Sequence, residues 1–459
     1  MKSRRWVSRA ARTGVPLWAA AAAAIIVGGP ARGQTRPPLP DFSDQFLPEF
    51  IFQDSVELRR GLQTRDDQAP IIETLLADYV TGFARGVVEV RQRITARYPM
   101  PEDLQAQADK INNAVIAELQ RTIDEFHLAQ GRGDPDAIAT LRAKLEALRA
   151  AVRQEREEAR PAPLPPEQVR AIGDEIIDEL LTWRQRRAEL RSAFVQGIAV
   201  VLDDAQQGRW PAVKMRLRRL RERDDARLSG ESVDLVALAS EAVPAGDRDG
   251  LEAALAAWAS ELDGLLREKR DYLETSRFDL YRAAMAGDST RALAVVQREI
   301  ELRTRIRDLN LRTADELARH LPSGEATTLL KAIRLEGFPR VFRPTTAHLR
   351  IAVAAEGPGL GADRKPAAQQ IVEDYLAAYD EVTLAIYQVT IEHEPELERQ
   401  RMLHRFGLRV QGPPGPAGEI EPIQDAYQQR TNLDRSTEDK LRALAEPAMG
   451  GGSGPPGAA

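Results

Sequence analysis

At 459 residues, with 29% charged and 5% aromatic residues and a formal net charge of −6, the chain is long enough for two or three domains with real cores. It has no cysteine, which excludes disulfides, thiolate metal ligands and a thiol nucleophile. The acidic balance argues against nucleic acid as the main partner, because phosphate binding needs a basic surface.

The first residues read as a leader. Lys2, Arg4, Arg5, Arg9 and Arg12 precede an apolar run from Val15 to Val27. Gly28-Gly29-Pro30 breaks the run, and Ala31-Arg32-Gly33 places small residues before Gln34. This layout is that of a secretory signal peptide over 1–33, with a faint twin-arginine flavour at Ser3-Arg4-Arg5. An uncleaved N-terminal anchor shares the same layout, although the run is short for a span. Cleavage removes six positive charges, Arg32 included, and no acids, so the mature chain carries −6 − 6 = −12. Export, with a periplasmic or extracytoplasmic location and no transmembrane span in the mature chain, is the expectation.

Residues 34–69 form a Pro-rich tether followed by Phe42, Phe46, Phe50, Ile51 and Phe52. These aromatics are expected to dock on the first bundle; the alternative is an exposed cluster for a partner or membrane surface. The phrase Leu75-Leu76-Ala77-Asp78-Tyr79-Val80-Thr81-Gly82-Phe83 then sets the pattern of the chain. It returns as Ile371-Val372-Glu373-Asp374-Tyr375-Leu376-Ala377-Ala378-Tyr379, with a weaker echo at Ala254-Leu255, Trp258-Ala259 and Leu262. In the two clear copies, large apolar residues at relative positions 0, 1, 4, 5 and 8 make a wide apolar stripe on one side of a helix. Tyr79, Phe83, Tyr375 and Tyr379 are therefore assigned to packing seams.

The first seam helix is expected from Pro70 to Tyr98, followed by a coiled-coil hairpin over 102–160 with a tip at Gly131-Arg132-Gly133-Asp134-Pro135. Capping accounts for that tip, so an Arg-Gly-Asp adhesion reading is set aside. After the stiff linker Pro161–Pro166, a long helix leads to Asp203 and a second helix carries Trp210. The basic run Lys214 to Arg223 is read as a solvated face with arginine stems over a neighbour, rather than a lipid or nucleic-acid patch. Helical unit A thus spans 70–228. Unit B spans 229–345, with a Gly287-Asp288-Ser289 tip. A flexible join covers 346–365, with Thr345 to Val353 read as extended. A partial unit C covers 366–410, its helix stopping near Ile391 and a short helix starting at Pro395. The Pro/Gly-rich 411–459 is expected to be a disordered tail with one weak helix near Leu441. The fold class is all-α, built of tandem helical hairpins with coiled-coil-like helices.

No Gly-x-Ser-x-Gly elbow, Walker loop or dinucleotide fingerprint is present. Among five histidines, only Glu392-His393-Glu394, with Glu396 and His404 nearby, resembles a ligand cluster, and surface charge explains it better than a metal. No catalytic residue, cofactor or metal is assigned.

Leu202-Asp203-Asp204-Ala205-Gln206 resembles the Leu-Thr-x-x-Gln motif of the Spy/CpxP-like family, small helical periplasmic proteins that act as ATP-independent chaperones or stress-signal modulators. The family's Thr caps a helix, and Asp203 suits the same position, with Gln206 three residues on. The counterpart Leu321-Pro322-Ser323-Gly324-Glu325 is more degenerate. The resemblance covers a few residues in a much longer chain. It implies a non-enzymatic, chaperone-like protein that binds other proteins of the cell envelope. A structural or scaffolding envelope protein is the alternative. Oligomeric state is not legible.

Overall fold

The computed structural model describes residues 43–97, 165–244, 246, 248–356, 360–408 and 422–445, with scattered positions between 118 and 147. The leader, the tether up to residue 42 and the Arg132-Gly133-Asp134 tip lie outside them. Regular structure among the described residues is entirely helical. The helices are α1 (Asp54–Leu62), α2 (Ala69–Arg97), α3 (Pro166–Val201), α4 (Asp204–Glu222), α5 (Leu235–Ala242), α6 (Glu252–Ala286), α7 (Ser289–Arg319), α8 (Ser323–Gly337), α9 (Pro339–Phe342), α10 (Thr346–Ala354), α11 (Lys365–Arg405) and α12 (Pro422–Ala445). They fall into two compact units, Met1–Pro48 with Ala77–Gln196 and Glu49–Leu76 with Gly197–Ala459. This division differs from the boundaries 70–228, 229–345 and 366–410. Segments B and C share one unit because side chains of α7 and of the loop before α5 bond directly to α11.

In the first unit, α2 and α3 run antiparallel. Tyr79 meets Phe194 at 5.4 Å between ring centroids, Phe83 meets Trp183 edge-on at 5.1 Å, and Arg93 pairs with Glu179 at 2.7 Å. Close approach depends on glycine: a Cβ on Gly86 would stand 2.2 Å from the Trp183 ring. Full burial of each such aromatic contributes about 2–3 kcal/mol. The 3-10 turn Ser43–Phe46 docks here, where the Trp183 Nε1 donates to the Gln45 carbonyl at 2.8 Å and Arg91 lies over the Phe46 ring. An ion pair of 2.8 Å joins Glu118 to Lys144, both described as helical. The remaining 102–160 positions are mostly outside the described residues.

In the second unit, α6 and α7 form a long antiparallel pair. Gly287 closes α6 with φ +69°, and Asp288 caps α7 by accepting the Arg291 N–H. The loop 226–234 passes through the interior between this pair and α8. Gly230, at φ +82°, donates its N–H to the Gly337 carbonyl at 2.8 Å; a Cβ on Gly337 would sit 3.2 Å from the Gly230 Cα.

Three expectations are corrected here. Residues 346–354 are helix α10, not extended: the Thr345 hydroxyl accepts the His348 N–H as an N-cap, and Ile351 is buried in a cluster shared with α11. Of the join over 346–365, only 357–359 fall outside the described residues. Next, α11 runs unbroken through Pro395 as one helix of 41 residues. Finally, 422–445 is a helix of 24 residues packed on α11, so the weak helix expected near Leu441 is the C-terminal end of a much longer one. The rest of the 411–459 segment lies outside the described residues.

Candidate functional site

The capping motif builds the joint between α3 and α4. Gln206 N–H donates to Asp203 Oδ1 at 3.0 Å, and Asp203 N–H donates to Gln206 Oε1 at 3.1 Å, a reciprocal capping box. A second glutamine, Gln68, repeats half of this arrangement: its Oε1 accepts the Arg65 N–H at 3.0 Å, three residues back. The amides of Gln68 and Gln206 then bond to each other at 2.8–2.9 Å, and the Gln68 Nε2 also donates to the Val201 carbonyl. Two chain reversals, 63–68 and 201–206, are thereby locked together. Sequence reading missed Gln68; its one signal is a Gln three residues into a turn before Pro70. Trp210, nearly two turns into α4, is buried with Lys214 over its ring.

The seam aromatics are interior. Tyr79, Phe83, Tyr375 and Tyr379 are all buried, as is Leu76. Tyr375 nevertheless belongs to a polar cluster. Its hydroxyl donates to Asp434 Oδ1 on α12 at 2.8 Å and lies 3.4 Å from His348 Nδ1 on α10. The His348 ring stacks on Tyr379 at 4.1 Å. Burial, and then the bond to Asp434, push the Tyr375 phenol well above the usual tyrosine range, so it stays neutral. Of the aromatics before α1, Phe50 is buried whereas Phe52 is exposed.

The basic run on α4 is not a solvated face. Arg216 pairs with Glu57, Arg218 with Asp263, Arg219 with Asp234, Arg221 with Asp54 and Arg223, just past the helix, with Glu336. Arg219 also lies over the Trp258 ring at 5.2 Å. The arginines radiate into carboxylates of α1, α6, α8 and the loop before α5. No open cationic patch remains along Arg216 to Arg223 for phosphate or lipid headgroups.

Beside this comb lies a buried polar centre. Lys269 on α6 and Arg303 on α7 are each 0% exposed. The Lys269 Nζ stands 2.8 Å from Glu222, 3.4 Å from Asp225 and 3.2 Å from Glu231. Arg303 reaches Asp225 at 2.9 Å, Glu231 at 2.8 Å and Glu299 at 2.9 Å. Glu231 uses its second oxygen to accept the Arg227 and Leu228 N–H groups. Asn310 donates to the Gly230 and Glu231 carbonyls while accepting the Trp258 Nε1–H. A buried loop carries backbone groups that water cannot reach, and this network satisfies them.

The electrostatics define what this centre does. Burial disfavours the Lys269 ammonium, but Glu231, Glu222 and Asp225 outweigh it and hold its pKa above the usual lysine range. Burial likewise opposes the Arg303 charge, and its three carboxylates reverse the effect. Burial would raise the Asp225 carboxyl; Arg303 and then Lys269 bring it down to about 2. None of these three groups exchanges a proton near neutrality, so they are unsuited to acid–base catalysis. Their joint effect is to fix the loop.

The Glu392-His393-Glu394 segment does not converge on a point. Glu394 accepts from the Ser229 N–H and hydroxyl at 2.8 and 2.9 Å, and burial raises its pKa. His393 is 3.9 Å from Glu392 on the surface. Among the described residues, no group of three or more His, Asp or Glu side chains is placed to hold a metal ion, and no helix is long and apolar enough to cross a membrane. No family model, curated protein or solved structure matches this chain.

Proposed function

We propose that this is an exported, non-enzymatic helical protein that binds other proteins of the cell envelope in a chaperone-like manner. One structural observation supports the reading most: large apolar side chains stand exposed in pairs one turn apart. Leu349 and Val353 on α10 are 57% and 60% exposed, and Phe52 and Val56 at α1 are 55% and 65% exposed. Residues four apart share a helix face, so Leu349 and Val353, both within α10, offer a small apolar strip to an unfolded or extended client, and Phe52, in the turn before α1, adds exposed apolar surface near Val56. The leader-like layout of 1–33 and the resemblance of Leu202–Gln206 to the Spy/CpxP-like motif favour export and the same functional class.

A holdase suppresses aggregation of a thermally unfolding client at near-stoichiometric ratio, so that is the assay for the purified chain from Gln34 onward. Full aggregation of the client in its presence would remove the reading. A scaffolding role is the second reading, favoured by the ion-pair comb on α4, which stiffens the unit. Cross-linking in intact cells separates the two, because a scaffold has fixed neighbours and a holdase has many. Detection of the unprocessed chain in the cytoplasm would sink both.

A further inference from the structure

We propose that the outer face of α10, with the arginines that border it, is a docking surface for an anionic phospholipid membrane. The inference does not rest on the chaperone-like reading, because a lipid surface is not a protein client. The helix has two faces. Ile351 is buried in the cluster shared with α11. Thr346, Leu349, Arg350 and Val353 follow the three- and four-residue spacing of a single helix face, and all four are exposed. The face is therefore open as the chain stands, and nothing has to move to present it.

The form of this face favours a soft partner. Leu349 and Val353 are each more than half exposed. A side chain that lines a groove is mostly covered by the walls, whereas these two project as a ridge. A projecting apolar ridge is buried most fully by a partner that closes around it, as acyl chains do at the headgroup boundary.

The charge around the ridge selects the lipid. The chain as a whole has a net charge of −6, yet the sequence between Glu336 and Glu356 holds Arg340, Arg343 and Arg350 and no carboxylate. Arg340 and Arg343 are exposed and make no ion pair among the described residues. Arg350 pairs with Glu438 on α12 at 2.7 Å. An exposed pair of this kind is weak, so a phosphate competes for the guanidinium. Arg435 stands three residues before Glu438 and so on the same side of α12; it too is exposed without an ion pair. The contrast is with α4, whose arginines are consumed by carboxylates. Aliphatic side chains that enter the acyl boundary and guanidiniums that bond headgroup phosphates are the two halves of interfacial binding. Glu438 and Glu356 are the acids that limit the surface. Among the described residues no helix is long and apolar enough to cross a membrane, and this face needs only to lie on one.

Flotation with phosphatidylcholine vesicles, prepared with and without phosphatidylglycerol, tests the surface. The protein is the chain from Gln34, which keeps every described residue and lacks the basic and apolar leader. It is expected to float with the anionic vesicles alone and to be released by salt. Arg340→Gln/Arg343→Gln is expected to weaken partitioning by about tenfold or more, and Leu349→Asp/Val353→Asp to abolish it. All four side chains are exposed, so the melting temperature is expected to hold. A second readout leaves them untouched: the chain has no cysteine, so an environment-sensitive dye on Thr346→Cys reports this face alone and is expected to shift to the blue on anionic vesicles. No flotation, flotation that ignores phosphatidylglycerol, variants that float like the unaltered chain, or a dye that stays in water would each overturn the surface. Capture of an acidic apolar peptide without vesicle binding would give the face to a protein and overturn the lipid. The aggregation assay contains no lipid, so failure here and failure of the chaperone-like reading are told apart.

Discussion

The Arg307 Nη1 donates a hydrogen bond of 2.8 Å to the carbonyl of Ile391. That carbonyl lies four residues before Pro395, which has no N–H to return. A guanidinium from α7 thus takes the place of the missing intrahelical donor and lets α11 run through a proline that ordinarily breaks a helix. The same contact ties α11 to α7, so one bond repairs a helix and builds the unit.

This substitution of donors is measurable as a coupling. Arg307→Ala is expected to destabilise the second unit by about 1–3 kcal/mol, the cost of stranding a buried acceptor. In a Pro395→Ala background the helix supplies its own N–H, so the same replacement is expected to cost about 1 kcal/mol less. Urea unfolding of the four proteins of the cycle reads the difference. Equal costs in both backgrounds would separate Arg307 from Pro395.

At the α3–α4 joint, Asp203→Ala is expected to cost about 0.5–2 kcal/mol, whereas Asp203→Thr should stay within a few tenths, because Thr caps almost as well. The exposed ion pair of Asp203 with Arg65 adds little to either figure. Gln68→Ala and Gln206→Ala should be non-additive, since each removes the same amide pair. Chemical denaturation of the single and double variants decides this; strictly additive losses would contradict the paired geometry.

Legibility from sequence followed the range of the interaction. Asp203 and Gln206 were readable because a capping box closes over three residues. Gln68 was not, because its partner lies 138 positions away. The seam tyrosines were readable from helical periodicity, but the Asp434 that orients Tyr375 was hidden in a segment whose inward row is polar. That same row, Arg430 and Asp434 in place of leucines, made α12 look like a solvated tail. The basic run misled for a related reason: its carboxylate partners Asp54, Glu57, Asp234, Asp263 and Glu336 are scattered through the sequence. Nothing local distinguishes a paired arginine from a solvated one.

The buried ionic centre makes stability depend on acid in a defined window. The folded pKa of Asp225, about 2, lies below its ordinary 3.8. Its stabilisation is therefore complete above pH ~4 and lost as pH falls through about 2. Asp225→Asn is expected to cost on the order of 1–2 kcal/mol at pH 7, a figure lowered for the partial exposure of the carboxylate, and much less at pH 2. Thermal melts of both proteins at the two pH values are the check. A constant gap would remove Asp225 from the network's titration.

Glycine positions separate close packing from open surface. Gly86→Ala is expected to destabilise the first unit by about 1–3 kcal/mol, because the new Cβ would overlap the Trp183 ring. Gly264, within α6, has nothing within 4 Å of such a Cβ, so Gly264→Ala is expected to stabilise by about 0.5–1 kcal/mol. Opposite signs in denaturant titrations would confirm the contrast, and a neutral Gly86→Ala would refute the close approach.

In the proposed function, the exposed apolar strips, not the buried charged centre, carry client binding. The most direct measurement compares aggregation suppression by the chain from Gln34 with that of Leu349→Glu/Val353→Glu, both substitutions lying on the exposed face of α10. The expected result is a melting temperature unchanged to within a few degrees and a clear loss of suppression in the variant. Undiminished suppression by a folded variant, or none by the unaltered chain, would contradict the account.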